Sequence, residues 1–129
     1  MTIERFGAGP VGPGGRALPF SKAVRAGEFV FVSGQVPTGA DGEIVAGGVV
    51  PQARQAIENA RAILEGLGLG LKDVVKATIW LADARDFWSF NKVYAEYFGD
   101  VMPARSCVRA DLMVDCKVEI EVVAYAPRV

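Results

Sequence analysis

Residues 73–81, Asp73-Val74-Val75-Lys76-Ala77-Thr78-Ile79-Trp80-Leu81, decide the fold class of this chain. Val75, Ala77, Ile79 and Leu81 alternate with Val74, Lys76, Thr78 and Trp80, and a period of two is the mark of a strand. On either side the period changes. Upstream, Ala53, Ile57, Ala60, Ile63, Leu64 and Leu67 recur at three- and four-residue spacings. They predict an amphipathic helix with Pro51 near its first turn and Gly66-Leu67-Gly68 at its end. Downstream, Asp83 is placed to cap a second helix whose stripe is Phe87, Phe90, Tyr94, Tyr97 and Phe98, stopped by Gly99. At helical spacing such an aromatic stripe reads as core rather than as a platform for stacked bases.

A strand between two helices must pair with strands elsewhere in the chain. Lys22 to Arg25 and Glu28 to Gly34, rich in β-branched and aromatic residues, predict a hairpin turning at Ala26-Gly27. Arg105 to Ala110 and Lys117 to Ala126 predict two further strands. The order is then ββ-α-β-α-ββ. We therefore expect one α+β domain over residues 1–129: a sandwich of one mixed sheet with two helices on one face. Residues 7–19 hold five glycines and three prolines, so residues 1–19 are expected to be a loop segment. Gly7-Ala8-Gly9-Pro10-Val11-Gly12 spells GxGxxG. Pro13-Gly14-Gly15 follows where a dinucleotide site needs a helix, so the match reflects composition alone.

Composition narrows the chemistry. The chain has 14 Lys and Arg against 15 Asp and Glu, and its basic residues form no stripe, which argues against a nucleic-acid partner. Hydrophobic residues make up 51% of it, much for so small a chain, and self-association is the expected outlet for the surplus. No run is long and apolar enough for a membrane span, and no hydrophobic signal region opens the sequence, so the expected location is cytoplasmic. Cys107 and Cys116 are too few for a disulfide scaffold and form no CxxC pair. With no histidine at all, Ser-His and Cys-His nucleophile pairs and two-His metal motifs are ruled out. Catalysis would have to use carboxylates, arginine, hydroxyls and backbone groups.

Alternation puts Arg105, Cys107 and Arg109 on one side of their strand and Glu119 and Glu121 together on one side of the next. Across a hairpin these groups would meet, as a surface ion pair or as a carboxylate clamp beside a proton-handling glutamate. The residues that turn this choice are Val32-Ser33-Gly34-Gln35-Val36-Pro37, Gln52-Ala53-Arg54-Gln55, Asp86-Phe87 with Asn91 and Tyr94, Pro103-Ala104-Arg105-Ser106-Cys107-Val108, and Val118-Glu119-Ile120-Glu121. In that order and spacing, from about Pro19 onward, the chain resembles the Rid (YjgF) family of imine deaminases, also known as the L-PSP endoribonuclease family.

The resemblance implies a chorismate-mutase-like fold assembled as a homotrimer around a central β-barrel, with sites in the clefts between subunits. It implies hydrolysis of 2-imino acids to 2-keto acids and ammonia without metal or organic cofactor. Carried over by motif, Arg105 holds the substrate carboxylate and Glu121 directs the water, with Glu119 as its rival. Ser33, Gly34, Asn91 and the backbone of Cys107 frame the substrate. Phe20 stands where the family usually has a tyrosine, which keeps a ring in the cleft but loses a hydroxyl. Leu112-Met113-Val114-Asp115-Cys116 replaces a proline-containing loop, with Cys116 standing in for an apolar strand residue. A non-catalytic carboxylate sensor on the same cleft is the alternative; ribonuclease activity is disfavoured by the acidic, histidine-free composition.

Overall fold

The computed structural model describes residues 2–12 and 14–128. Its elements are β1 (Ile3–Ala8), β2 (Ser21–Ala26), β3 (Phe29–Gln35), α1 (Val49–Gly66), β4 (Val74–Leu81), α2 (Phe87–Phe98), β5 (Ala104–Arg109) and β6 (Val118–Tyr125). The strands form one mixed sheet in the order β1-β2-β3-β6-β4-β5, with the two helices packed on one face. The α+β class and the helix-covered sheet are therefore as the sequence predicts.

The expected loop at residues 1–19 is corrected in part. Ile3–Ala8 is a strand, paired antiparallel with β2, so the order gains a strand at the start. The glycine-rich remainder does loop, with Val11 bridging Ala17. No helix follows the GxGxxG match, and Pro13 lies outside the described residues.

The core lies between α1, α2 and the alternate residues of the central strands: Val30 and Val32, Ala77, Ile79 and Leu81, and Val118, Ile120, Val122 and Ala124. At the start of β4 the predicted phase fails. Val74 is buried and Val75 exposed, because the register against β6 slips between Val74 and Lys76, and one extra residue turns the following side chains over. α1 closes on a left-handed Gly68, φ +78°, while Leu69 N donates to Leu64 O and Gly68 N to Glu65 O. Gly99 ends α2 with an ordinary right-handed φ of −60°. The chain instead reverses at Met102, φ +47°, which launches β5. Asp83 caps the 3₁₀ turn Ala84–Asp86 that leads into α2, accepting from Arg85 N at 2.8 Å.

The expected hairpin between the last two strands is absent. β5 runs parallel to β4, joined to it through α2, and β6 inserts between β3 and β4. A parallel pair needs such a crossover, and α2 supplies it. Cys116, buried beside Val118 O, fills the apolar position expected of it.

Candidate active site

Arg105, Cys107 and Arg109 project toward the helices, because Arg105 is in register with buried Ala77 and Cys107 with buried Ile79. The Arg105 guanidinium lies over three rings of α2, 4.7 Å from the centroid of Tyr94, 5.7 Å from Phe87 and 5.8 Å from Phe90. The expected aromatic core stripe is therefore also a tray for a cation. Among the described residues no carboxylate pairs with Arg105 and no side-chain hydrogen bond engages it. Asn91 lies on the same helix, one turn before Tyr94. Its Oδ1 and the Tyr94 hydroxyl are buried without partners among the described residues. Burial pushes the Cys107 thiol up, against a smaller opposing pull from Arg105, so the thiol is held protonated. β5 is an edge strand, which leaves the outward half of its backbone groups free of the sheet.

Glu119 and Glu121 occupy the opposite face. They lie opposite Trp80 and Thr78 on β4, which itself separates β6 from β5. Arg105 and either glutamate of one chain are thus divided by a strand and by the thickness of the sheet. The predicted meeting of these charges across a hairpin does not occur within one chain.

The two glutamates are not equivalent. β3 bulges between Val32 and Gln35, which carries Gly34 up against β6. A Cβ on Gly34 would run into the Glu119 carboxylate as it stands, so the carboxylate takes up the space that a side chain at 34 would fill. Glu119 lines a groove with Phe20, Lys22, Gly34 and Gln35, and Glu121 does not. Burial first, and then the charge of Glu121, push the Glu119 carboxyl above the usual carboxylate range. The sequence pattern, which puts both on one face, could not choose between them.

Ser33 donates its hydroxyl to Ser21 O at 2.6 Å, tying β3 to β2, and does not line the groove. The groove wall at Val36–Thr38 is fixed from α1: Asn59 Nδ2 donates to Val36 O and Thr38 O, and Gln55 orients Asn59. Buried Gln52 donates to Val45 O and accepts from Lys117 N, anchoring the start of β6. The predicted site residues therefore fall into two groups, Phe20 and Gly34 with Glu119 on one side, Arg105, Cys107 and Asn91 on the other. The aromatic tray and the groove cations Arg16 and Lys22 were not among the expectations from sequence; for the tray, three rings at helical spacing facing an arginine strand were the available signal.

Comparison with known proteins identifies the family. The family described as Endoribonuclease L-PSP matches residues 15–126. A RutC family protein of Pyrococcus horikoshii is 49% identical over 109 residues, covering 83% of this chain and 86% of that protein. A 2-iminobutanoate/2-iminopropanoate deaminase of Salmonella typhimurium is 42% identical over 110 residues, 82% of this chain and 86% of that one. The crystal structure of E. coli TdcF with bound serine superposes with a TM-score of 0.82 at 37% identity, covering 95% of this chain and 98% of that chain. The chain belongs to the L-PSP, or YjgF/Rid, family.

Proposed function

We propose that this protein is a homotrimeric hydrolase of 2-imino acids, with each site shared between neighbouring copies. The observation that carries the reading is Arg105: a half-buried guanidinium seated on three rings with no anion beside it among the described residues. A buried cation without a counter-charge is costly, and a substrate carboxylate supplies one. The Arg fork holds that carboxylate through two parallel hydrogen bonds, which fixes the position of C2. Glu119 is on the other face of its own chain, so the ligand held by one copy's Arg105 meets the Glu119 of another. Three features support this association: the exposed apolar face of the sheet, the division of the site residues into two groups, and the relatives named imine deaminases.

In the reaction, water attacks C2 of the imine while Glu119 takes one of its protons. The carbinolamine formed from the protonated imine receives that proton on nitrogen; Glu119 then takes the hydroxyl proton as the C–N bond breaks, and the 2-keto acid leaves with ammonia, which carries the last proton away as ammonium. A glutamate whose proton affinity is raised by burial is a better base for this step than an exposed one. We assign the water-directing role to Glu119 rather than Glu121 because only Glu119 faces the groove. The ribonuclease in the family's description is a poorer fit, since the chain is slightly acidic overall and has no histidine.

The test is ammonia release from imines made in situ by an amino-acid oxidase. Acceleration over buffer that disappears in Arg105→Ala is expected; no acceleration, or an unchanged rate in that variant, refutes the reading.

A further inference from the structure

The groove lined by Glu119 is much larger than the carboxylate alone would need. Its volume is about 740 Å³, inside the roughly 300–1,000 Å³ range of sites that enclose drug-sized molecules. Most of its wall is hydrocarbon, from Val11 and Leu18 of the N-terminal loop, Val36 after β3, Ala62 and Ile63 of α1, and Met113 of the β5–β6 connection, with the cations Arg16 and Lys22 also along it. Met113 is 95% exposed and Val11 68%, so two large apolar side chains stand free at its margin. Leu18 leans over Gly12, where a Cβ would lie 2.7 Å from Leu18 Cδ1, so the loop is shaped to hold this wall in place. Two of the groove's polar side chains are spent: the Asn59 amide donates to Val36 O and Thr38 O, and Gln35 Nε2 donates to Ser33 O.

The geometry of the substrate points into this space. C2 of a 2-imino acid is trigonal, carrying the carboxylate, the nitrogen and the side chain. With the carboxylate drawn out to the arginine of a neighbouring copy and C2 beside Glu119, the side chain is directed away from that neighbour. It runs back along the groove of the chain that supplies Glu119. A methyl or ethyl group would leave most of the apolar wall wet. Phe20, at 44% exposure, adds an apolar ring at the entrance with no hydroxyl to favour a polar side chain.

We infer that this groove is a side-chain pocket that makes the protein selective for 2-imino acids with large apolar side chains, branched aliphatic or aromatic, over those with methyl or ethyl groups. The inference rests on the site proposed above.

The experiment compares kcat/KM for imines generated from alanine, 2-aminobutyrate, leucine and phenylalanine, alongside calorimetric binding of pyruvate, 4-methyl-2-oxopentanoate and phenylpyruvate. Since each buried methylene is worth roughly fourfold, the larger substrates should lead by about tenfold or more. Equal or lower kcat/KM for the large imines overturns the inference. Ala62→Trp fills the groove from an exposed position on α1, and should bring the ratio of large to small down to about one or below. If that variant folds poorly, Met113→Lys, which puts a charge at an exposed margin, should lower the same ratio. A protein that turns over none of the imines refutes the hydrolase reading, yet the keto-acid series still decides the pocket. Tighter binding of the two large acids by about tenfold supports it on the same methylene scale, and equal binding overturns it.

Discussion

The two faces of the sheet obey different rules. Toward the helices, Val30, Ala77, Ile79, Ile120 and Val122 are each at most 1% exposed, and the chain satisfies that face by itself. Toward the open side, Phe29, Phe31, Val75 and Tyr125 remain 41–47% exposed, on strands that alternate as cleanly as their partners. A monomer rarely leaves a contiguous apolar patch of that kind uncovered. The half-sites divide in the same way. Arg105 sits at the edge of the satisfied face with its charge unanswered among the described residues, and Glu119 on the open face with its carboxyl half-buried. One face builds the domain; the other, on the assembly proposed above, is completed by a further copy.

Mixing inactive variants would break this comparison most sharply. Arg105→Ala and Glu119→Gln should each lower kcat/KM by two orders of magnitude or more, the usual scale for losing a charged partner or base. Mixed and reassembled in equal amounts, they should recover roughly a quarter of wild-type activity, because at random one pairing in four unites an intact arginine with an intact glutamate across a heterologous interface. Ammonia-release assays before and after mixing check it. No recovery would mean that both groups serve one chain, and the division by faces would lose its functional meaning.

Adjacent residues of β3 give the next test. Val30→Ala opens a cavity in the helix-covered core and should cost about 2 kcal/mol of folding stability while leaving the assembly unchanged. Phe31→Glu, one residue along, should split the assembly into monomers and abolish activity, with little loss of helical signal. Light scattering and chemical denaturation read the two outcomes separately. A Phe31→Glu protein that remained oligomeric would remove the open face as the site of association.

A smaller effect is expected at the tray beneath Arg105. Tyr94→Leu removes the ring 4.7 Å from the guanidinium and should raise KM severalfold, a cation–π contact being worth about 1–2 kcal/mol, with kcat little changed. Tyr94→Phe keeps the ring and discards a hydroxyl that has no partner among the described residues, so it should restore wild-type KM. An equal rise in both variants would assign the effect to the hydroxyl instead.

Much of the architecture was legible because strands and helices carry different periods. The sequence failed where a single residue changes phase or partner. The slip at Val74–Lys76 reverses two valines, and nothing in a run of β-formers marks it. β5 and β6 follow one another, which suggests a hairpin, yet the crossover through α2 lays β5 parallel to β4 and leaves β6 two places away. That single topological fact moves Arg105 and the glutamates from neighbours to opposite faces. The same limit applies to Glu119 and Glu121: period two makes them equal, and the bulge at Gly34 on another strand distinguishes them.

The glutamate pair also provides the finest test. Glu121 carries a negative charge on the same face, and that charge is the second cause of the raised Glu119 carboxyl, after burial. Glu121→Gln removes it, so Glu119 should hold its proton less tightly, and the acid limb of the kcat/KM profile should move to lower pH. The plateau should keep its height, since Glu121 does not face the groove. Stability carries the opposite sign from that of a salt-bridged carboxylate. A folded-state pKa above the unfolded value means that the folded protein binds the proton more tightly, so Glu119 weakens the fold above its folded pKa and the penalty is relieved as the pH falls through it. Glu119→Gln should therefore raise Tm at neutral pH while abolishing turnover, and the gain should shrink at acid pH where the native carboxyl is already protonated. A glutamate placed for structure alone would show the reverse, a variant that is less stable and still active.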